Sequence, residues 1–190
     1  MAYLFNMADL ATGILLISDP FLKDPNFIRT VILLCEYQEK EGSFGFVLNK
    51  SIEPELGDLV ELAEGIRFPV HEGGPVQKET LHFIHQRPDL ISGGAEVAEG
   101  IFWGGDFDEV LSLLRENKLK KNEIRFFVGY SGWDQGQLEG ELEEKSWITR
   151  KASPQLVFNM NAQQIWKDAL RDLGGEYSQM INYPIDPQLN

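Results

Sequence analysis

Thr30-Val31-Ile32-Leu33-Leu34-Cys35 is the stretch on which the fold turns. It is apolar without alternation, so a strand formed here must be covered on both faces. Gly13-Ile14-Leu15-Leu16-Ile17 before it and Phe44-Gly45-Phe46-Val47-Leu48 after it carry the same signature. Leu81 to His85, Ile101 to Trp103 and Ile124 to Gly129 read as further strands. In the last, Ile124, Phe126 and Val128 share one face, and Arg125 and Phe127 share the other.

Helices interrupt the strands. Pro54 suits the first position of a helix, with Leu56, Leu59, Val60 and Leu62 as its apolar stripe. Asp106, with Glu109 three residues on, predicts a capped start for a helix carrying Val110, Leu113 and Leu114. Ser153-Pro154 opens a short helical turn. A longer helix follows from Ala162, with Asn161 as its cap and Gly174 as its stop. The irregular alternation of strands and helices predicts an α+β fold with a mixed sheet. The many glycines add tight turns and strong curvature. Residues 1–175 are expected to form one domain and 176–190, with two prolines and little periodicity, an extended C-terminal tail.

Composition removes several classes of function. Thirty carboxylates face seventeen Lys and Arg, for a net charge of −13, and the cations form no basic segment. Duplex nucleic acid would be repelled at long range, so direct nucleic-acid binding is not expected. Cys35 is the single cysteine and is followed by Glu36, which disfavours a thiolate. No apolar run approaches the roughly 20 residues that span a bilayer, so no membrane partner is expected and the cytoplasm is the expected location.

Catalytic signatures fail on particular residues. Gly129-Tyr130-Ser131-Gly132-Trp133 lacks the second glycine of a nucleophile elbow, because Trp133 occupies that place, and it reads as a turn at a strand end. In Gly73-Gly74-Pro75-Val76-Gln77-Lys78-Glu79-Thr80, Gln77 and Glu79 stand where a phosphate loop needs glycine and a hydroxyl. His82 and His85, three apart on a strand, point to opposite faces and leave no zinc set. Glu139, Glu141 and Glu143 would share a face if extended, and read as a solvated face rather than a cation site. No metal and no cofactor is expected.

The segments Asp24-Pro25-Asn26-Phe27-Ile28-Arg29-Thr30-Val31, Gly45-Phe46-Val47-Leu48-Asn49-Lys50, Gly73-Gly74-Pro75-Val76, Gly104-Gly105-Asp106-Phe107 and Gly129-Tyr130-Ser131-Gly132-Trp133 occur in this order, followed by Gly136-Gln137-Leu138-Glu139 and Trp147. In this series the chain closely resembles the bacterial YqgE/AlgH family, across roughly Thr12 to Gly174. Tyr37 departs from it, standing where the family is expected to carry histidine. The resemblance implies a compact α+β fold whose mixed sheet curls into a pseudo-barrel with packed helices. It implies no established enzymatic activity. One branch is named as a transcriptional regulator of exopolysaccharide synthesis, a reading that no basic patch or helix-turn-helix signature supports here.

The resulting expectation is a non-enzymatic binding or regulatory protein. Its site is a polar recess formed by the hallmark turns, for a small anionic ligand or a protein partner. Asn26, Arg29, Thr30, Asn49, Gly73, Gly74, Tyr130, Ser131 and Trp133 are the candidate ligand-binding residues. Arg29 would offer a planar fork, and the glycine turn its backbone N–H groups. An enzyme acting on a small substrate is the alternative, and a transcriptional regulator ranks last.

Overall fold

The computed structural model describes residues 10–185. In chain order the elements are β1 (Ile14–Ser18), β2 (Val31–Gln38), β3 (Gly42–Val47), β4 (Ser51–Glu55), α1 (Leu56–Leu59), β5 (Pro69–Glu72), β6 (Val76–His85), β7 (Ala95–Ala98), β8 (Ile101–Trp103) and α2 (Phe107–Arg115). There follow β9 (Ile124–Trp133), α3 (Gln137–Glu143), β10 (Trp147–Lys151), α4 (Pro154–Val157), α5 (Ile165–Leu173) and α6 (Tyr177–Met180). The strands form one sheet in the order β10-β1-β2-β3-β9-β6-β8-β7, with β5 and then β4 attached beside β9. β5 runs parallel to β9 while the other pairings are antiparallel, so the sheet is mixed.

The unbroken apolar runs have the predicted cause. Leu15, Ile17, Val31 and Leu33 pack against α4 and α5 through Leu156, Trp166 and Leu170. Their neighbours Leu16, Ile32 and Leu34 pack on the opposite face with Leu138 and Leu142 of α3. Each fully buried Leu or Ile contributes about 1.5–3 kcal/mol relative to exposure, so β1 and β2 are anchored from two sides. A separate core lies between β5, β6, β9 and α2, where Phe83, Val110, Leu114 and Phe126 meet.

β9 is the spine on which the sheet curls. Its first half takes β5 on one edge, Val70 opposite Phe126, and its last residues take β3 on the same edge, Phe44 opposite Gly132. Gly129, at φ +67, makes the bend between the two partners. The far edge returns toward the start of the sheet: a Cβ on Gly13 would lie 2.2 Å from the Val97 carbonyl of β7. The result is a strongly curled half-barrel of the α+β class.

Four expectations are corrected. Pro54 lies in β4, not in a helix; among the described residues β4 pairs only with β5, and an edge strand tolerates the missing N–H. The helix that follows ends after one turn, with Leu59 and Leu62 exposed at 43% and 64%. Gly57 packs so closely on the carbonyls of Ala63 and Ile66 that the chain doubles back there. Residues 129–133 are strand rather than turn, because β3 takes up their edge. Asn161 makes no side-chain cap, and the helix opens instead with a 3-10 turn at Ala162–Gln164. The expected extended tail contains the helical turn α6, whose Tyr177, Met180 and Ile181 have helical spacing and dock on the first core; residues 186–190 lie outside the described residues. The Asp106 cap is as predicted, its carboxylate accepting from the Glu109 N–H at 3.0 Å.

Candidate functional site

The hallmark residues fall into three places, not one recess. The first is a knot at the start of β2. Asn49 accepts from the Val31 N–H at 2.9 Å and donates to the Arg29 carbonyl at 2.8 Å, so both ends of its amide serve the backbone. The Thr30 hydroxyl donates to the Phe27 carbonyl at 3.0 Å and its backbone N–H donates to the Ser18 hydroxyl at 2.9 Å, so Thr30 serves the turn. Asn26 is exposed in the Asp24 turn. The Arg29 guanidinium lies 5.0 Å from the Trp166 ring centroid and donates to the Tyr183 carbonyl. Arg29 thus ties the C-terminal segment down.

The second place is the crossing of the β5–β6 turn with β9. Ser131 is fully buried and donates to the Gly73 carbonyl at 3.0 Å. The Gly73 N–H, expected to be free for an anion, donates to the Val128 carbonyl. Gly74 lies against the Tyr130 carbonyl. These residues fasten one strand crossing to another.

Tyr130 and Trp133 reach the third place, an open cleft of about 630 Å³ beside β3, β8 and the end of β9. Its floor is aromatic. Phe44 makes an edge contact with Trp103 at 4.9 Å between centroids and another with Tyr130 at 6.0 Å, and His82 stands edge-on to Tyr130. Glu36, Glu41 and Asp134 line the same cleft, and no Lys or Arg does. Sequence reasoning missed Phe44, Trp103, His82 and these carboxylates. The one available signal was glycine inside strands, at Gly42 and Gly132, which leaves the surface above the sheet open.

Nucleophiles and bases are otherwise engaged. The Thr80 hydroxyl donates to the Gln77 carbonyl and can only accept from His82 Nε2, 2.9 Å away. His85 Nε2 faces the Gly104 carbonyl. Burial pushes the Cys35 thiol far up, so it carries no thiolate near neutrality. Tyr37, the departure from the family pattern, donates its phenol to Glu139 at 2.8 Å; burial and that carboxylate push its pKa up to about 12. The described residues contain no group of three or more His, Cys, Asp or Glu able to hold a metal ion. Among them, no helix is long and apolar enough to cross a membrane.

His71 shows what burial does to a histidine here. It is 5% exposed, and burial, helped by the Arg125 charge, lowers its pKa to about 4. The unfolded chain binds this proton more readily, so stability is complete above about pH 6.5 and is lost as pH falls toward 4. The expected loss from this group is about 3 kcal/mol. Urea titrations between pH 7.5 and 4 should show it, and His71→Gln should flatten that part of the profile. An unchanged slope in the variant would contradict the assignment.

The AlgH-like family model, DUF179, matches residues 15–178. A UPF0301 protein of Chlorobaculum tepidum is 45% identical over 181 residues, covering 95% of this chain and 96% of its own. One from Cytophaga hutchinsonii is 40% identical over 182 residues, covering 95% and 100%. A crystal structure of a Corynebacterium diphtheriae protein superposes with a TM-score of 0.77 at 20% identity, covering 92% of this chain and 93% of that one, and shows the same fold. The solution structure of the AlgH protein from Pseudomonas aeruginosa superposes at 0.71 with 26% identity, covering 91% and 94%. With the hallmark segments in order and the half-barrel in place, the chain belongs to the YqgE/AlgH family.

Proposed function

We propose that the chain is a non-enzymatic binding protein of the cytoplasm and that the aromatic cleft seats a basic side chain of a protein partner. The observation that carries this reading is the lining itself: Phe44, Trp103 and Tyr130 under Glu36, Glu41 and Asp134, with no cation among them. Aromatic faces attract Lys and Arg, more so when water is excluded, and the carboxylates add charge complementarity. An anion is the poorer occupant of this cleft, although an anion was expected from Arg29. Catalysis is disfavoured because Ser131, Thr80, His85 and Cys35 are committed to the fold.

Calorimetric titration with acetylated Arg-Gly-Arg and Glu-Gly-Glu tripeptides tests the reading. The basic peptide should bind and the acidic one should not, with binding weakened by salt. Replacing Glu41 by Gln and Asp134 by Asn together should raise the Kd about tenfold, equivalent to about 1.4 kcal/mol, without moving Tm. Equal affinity for both peptides would contradict it.

A further inference from the structure

Arg125 is 5% exposed on β9, yet no carboxylate among the described residues pairs with its charge. It donates to the Leu48 carbonyl at 2.6 Å and to the Asn159 carbonyl, and no salt bridge reaches it among the described residues. Burial alone pulls its pKa down, to about 10, with no carboxylate holding it up. A buried charge without a counter-charge is costly, and its usual remedy is an anion nearby.

Beside it lies a cavity of about 80 Å³, separate from the aromatic cleft. Arg125, Lys121, His71 and Ser51 line it, and among the described residues no Asp or Glu does. Among the described residues His71 Nδ1 is buried with no hydrogen-bond partner, an unusual state for a ring nitrogen. Ser51 sits opposite His71 in the β4–β5 register, and Arg125 immediately precedes Phe126, which pairs with Val70. Strand pairing therefore holds these groups on rigid elements.

We infer that this cavity is a binding site for a small free oxyanion such as inorganic phosphate, held by Arg125 and Lys121 with His71 and Ser51 as hydrogen-bonding partners. The guanidinium supplies the planar fork that suits an oxyanion. The volume is far below the roughly 300–1,000 Å³ of ordinary ligand pockets, so the ion enters without an organic body. The anion-binding character expected of the chain thus belongs to Arg125, a residue outside the hallmark turns.

The test is a titration of inorganic phosphate into the full-length protein at pH 7.5, with ionic strength held constant by chloride, following the histidine ring signals by NMR. The His71 ring should shift saturably while His82 stays still. Lys121→Ala, an exposed position that leaves folding intact, should raise the half-saturating phosphate concentration at least threefold. Arg125→Lys should abolish the His71 response; should it fail to fold, wild type and Lys121→Ala decide alone. Phenyl phosphate should leave His71 unmoved. An absent or non-saturable shift, an unchanged midpoint in Lys121→Ala, or an equal response to phenyl phosphate would overturn the proposal.

Discussion

Gly74→Ala is expected to leave no folded protein at growth temperature. A Cβ at Gly74 would lie 2.2 Å from both the carbonyl carbon and the carbonyl oxygen of Tyr130, and 2.4 Å from the Ser131 nitrogen. These are backbone atoms of β9, the strand that pairs with β3, β5 and β6, so no side-chain rotation relieves the overlap. Relief requires parting the β5–β6 turn from β9 and breaking the contact Ser131 makes with Gly73. A cost above about 4 kcal/mol consumes most of the stability of an ordinary domain. Gly140→Ala is the control. It lies in α3 with nothing within 4 Å of the added atom, and the exchange should stabilise by about 0.5–1 kcal/mol. Soluble yield and circular dichroism separate the two; a folded Gly74→Ala would show that the β5–β6 turn can part from β9 at little cost.

Glu141→Ala should lower stability by roughly 3 kcal/mol, or about 10 °C in Tm for a chain of this size. One carboxylate oxygen of Glu141 accepts both indole N–H groups, from Trp133 at 2.9 Å and Trp147 at 2.8 Å. Both tryptophans are 5% exposed, so alanine would strand two buried donors at once. The two indoles and Phe27 pack edge-on and stacked around this point, fixing α3 to β9 and β10. Glu141→Gln keeps an acceptor oxygen and should cost less than half as much. Thermal melts of the two variants decide it, and equal losses would show that charge rather than hydrogen bonding is what the indoles require.

Glu141 also shows where sequence reasoning stops. Alternation put Glu139, Glu141 and Glu143 on one solvated face, but the segment is helical, and the helix turns Glu141 toward tryptophans that precede and follow it. The continuous runs at β1 and β2 were legible because burial on two faces leaves a direct mark on composition. The Asp106 cap was legible because it is local. The aromatic cleft was not: Phe44, Trp103 and Tyr130 come from β3, β8 and β9, and only the crossing order of the sheet brings them together. Asn49, Thr30 and Ser131 looked like ligand contacts for a physical reason. A polar side chain that satisfies a turn is, in sequence, the same as one that holds a ligand.

In the proposed function the cleft is the seat of a basic group. Titrating acetylated Arg-Gly-Arg into isotope-labelled protein, while following backbone and indole signals by NMR, tests this most directly. Saturable shifts should be confined to Phe44, the Trp103 indole, Tyr130 and Asp134. Shifts centred on Arg29 and Trp166, or none that saturate, would contradict it.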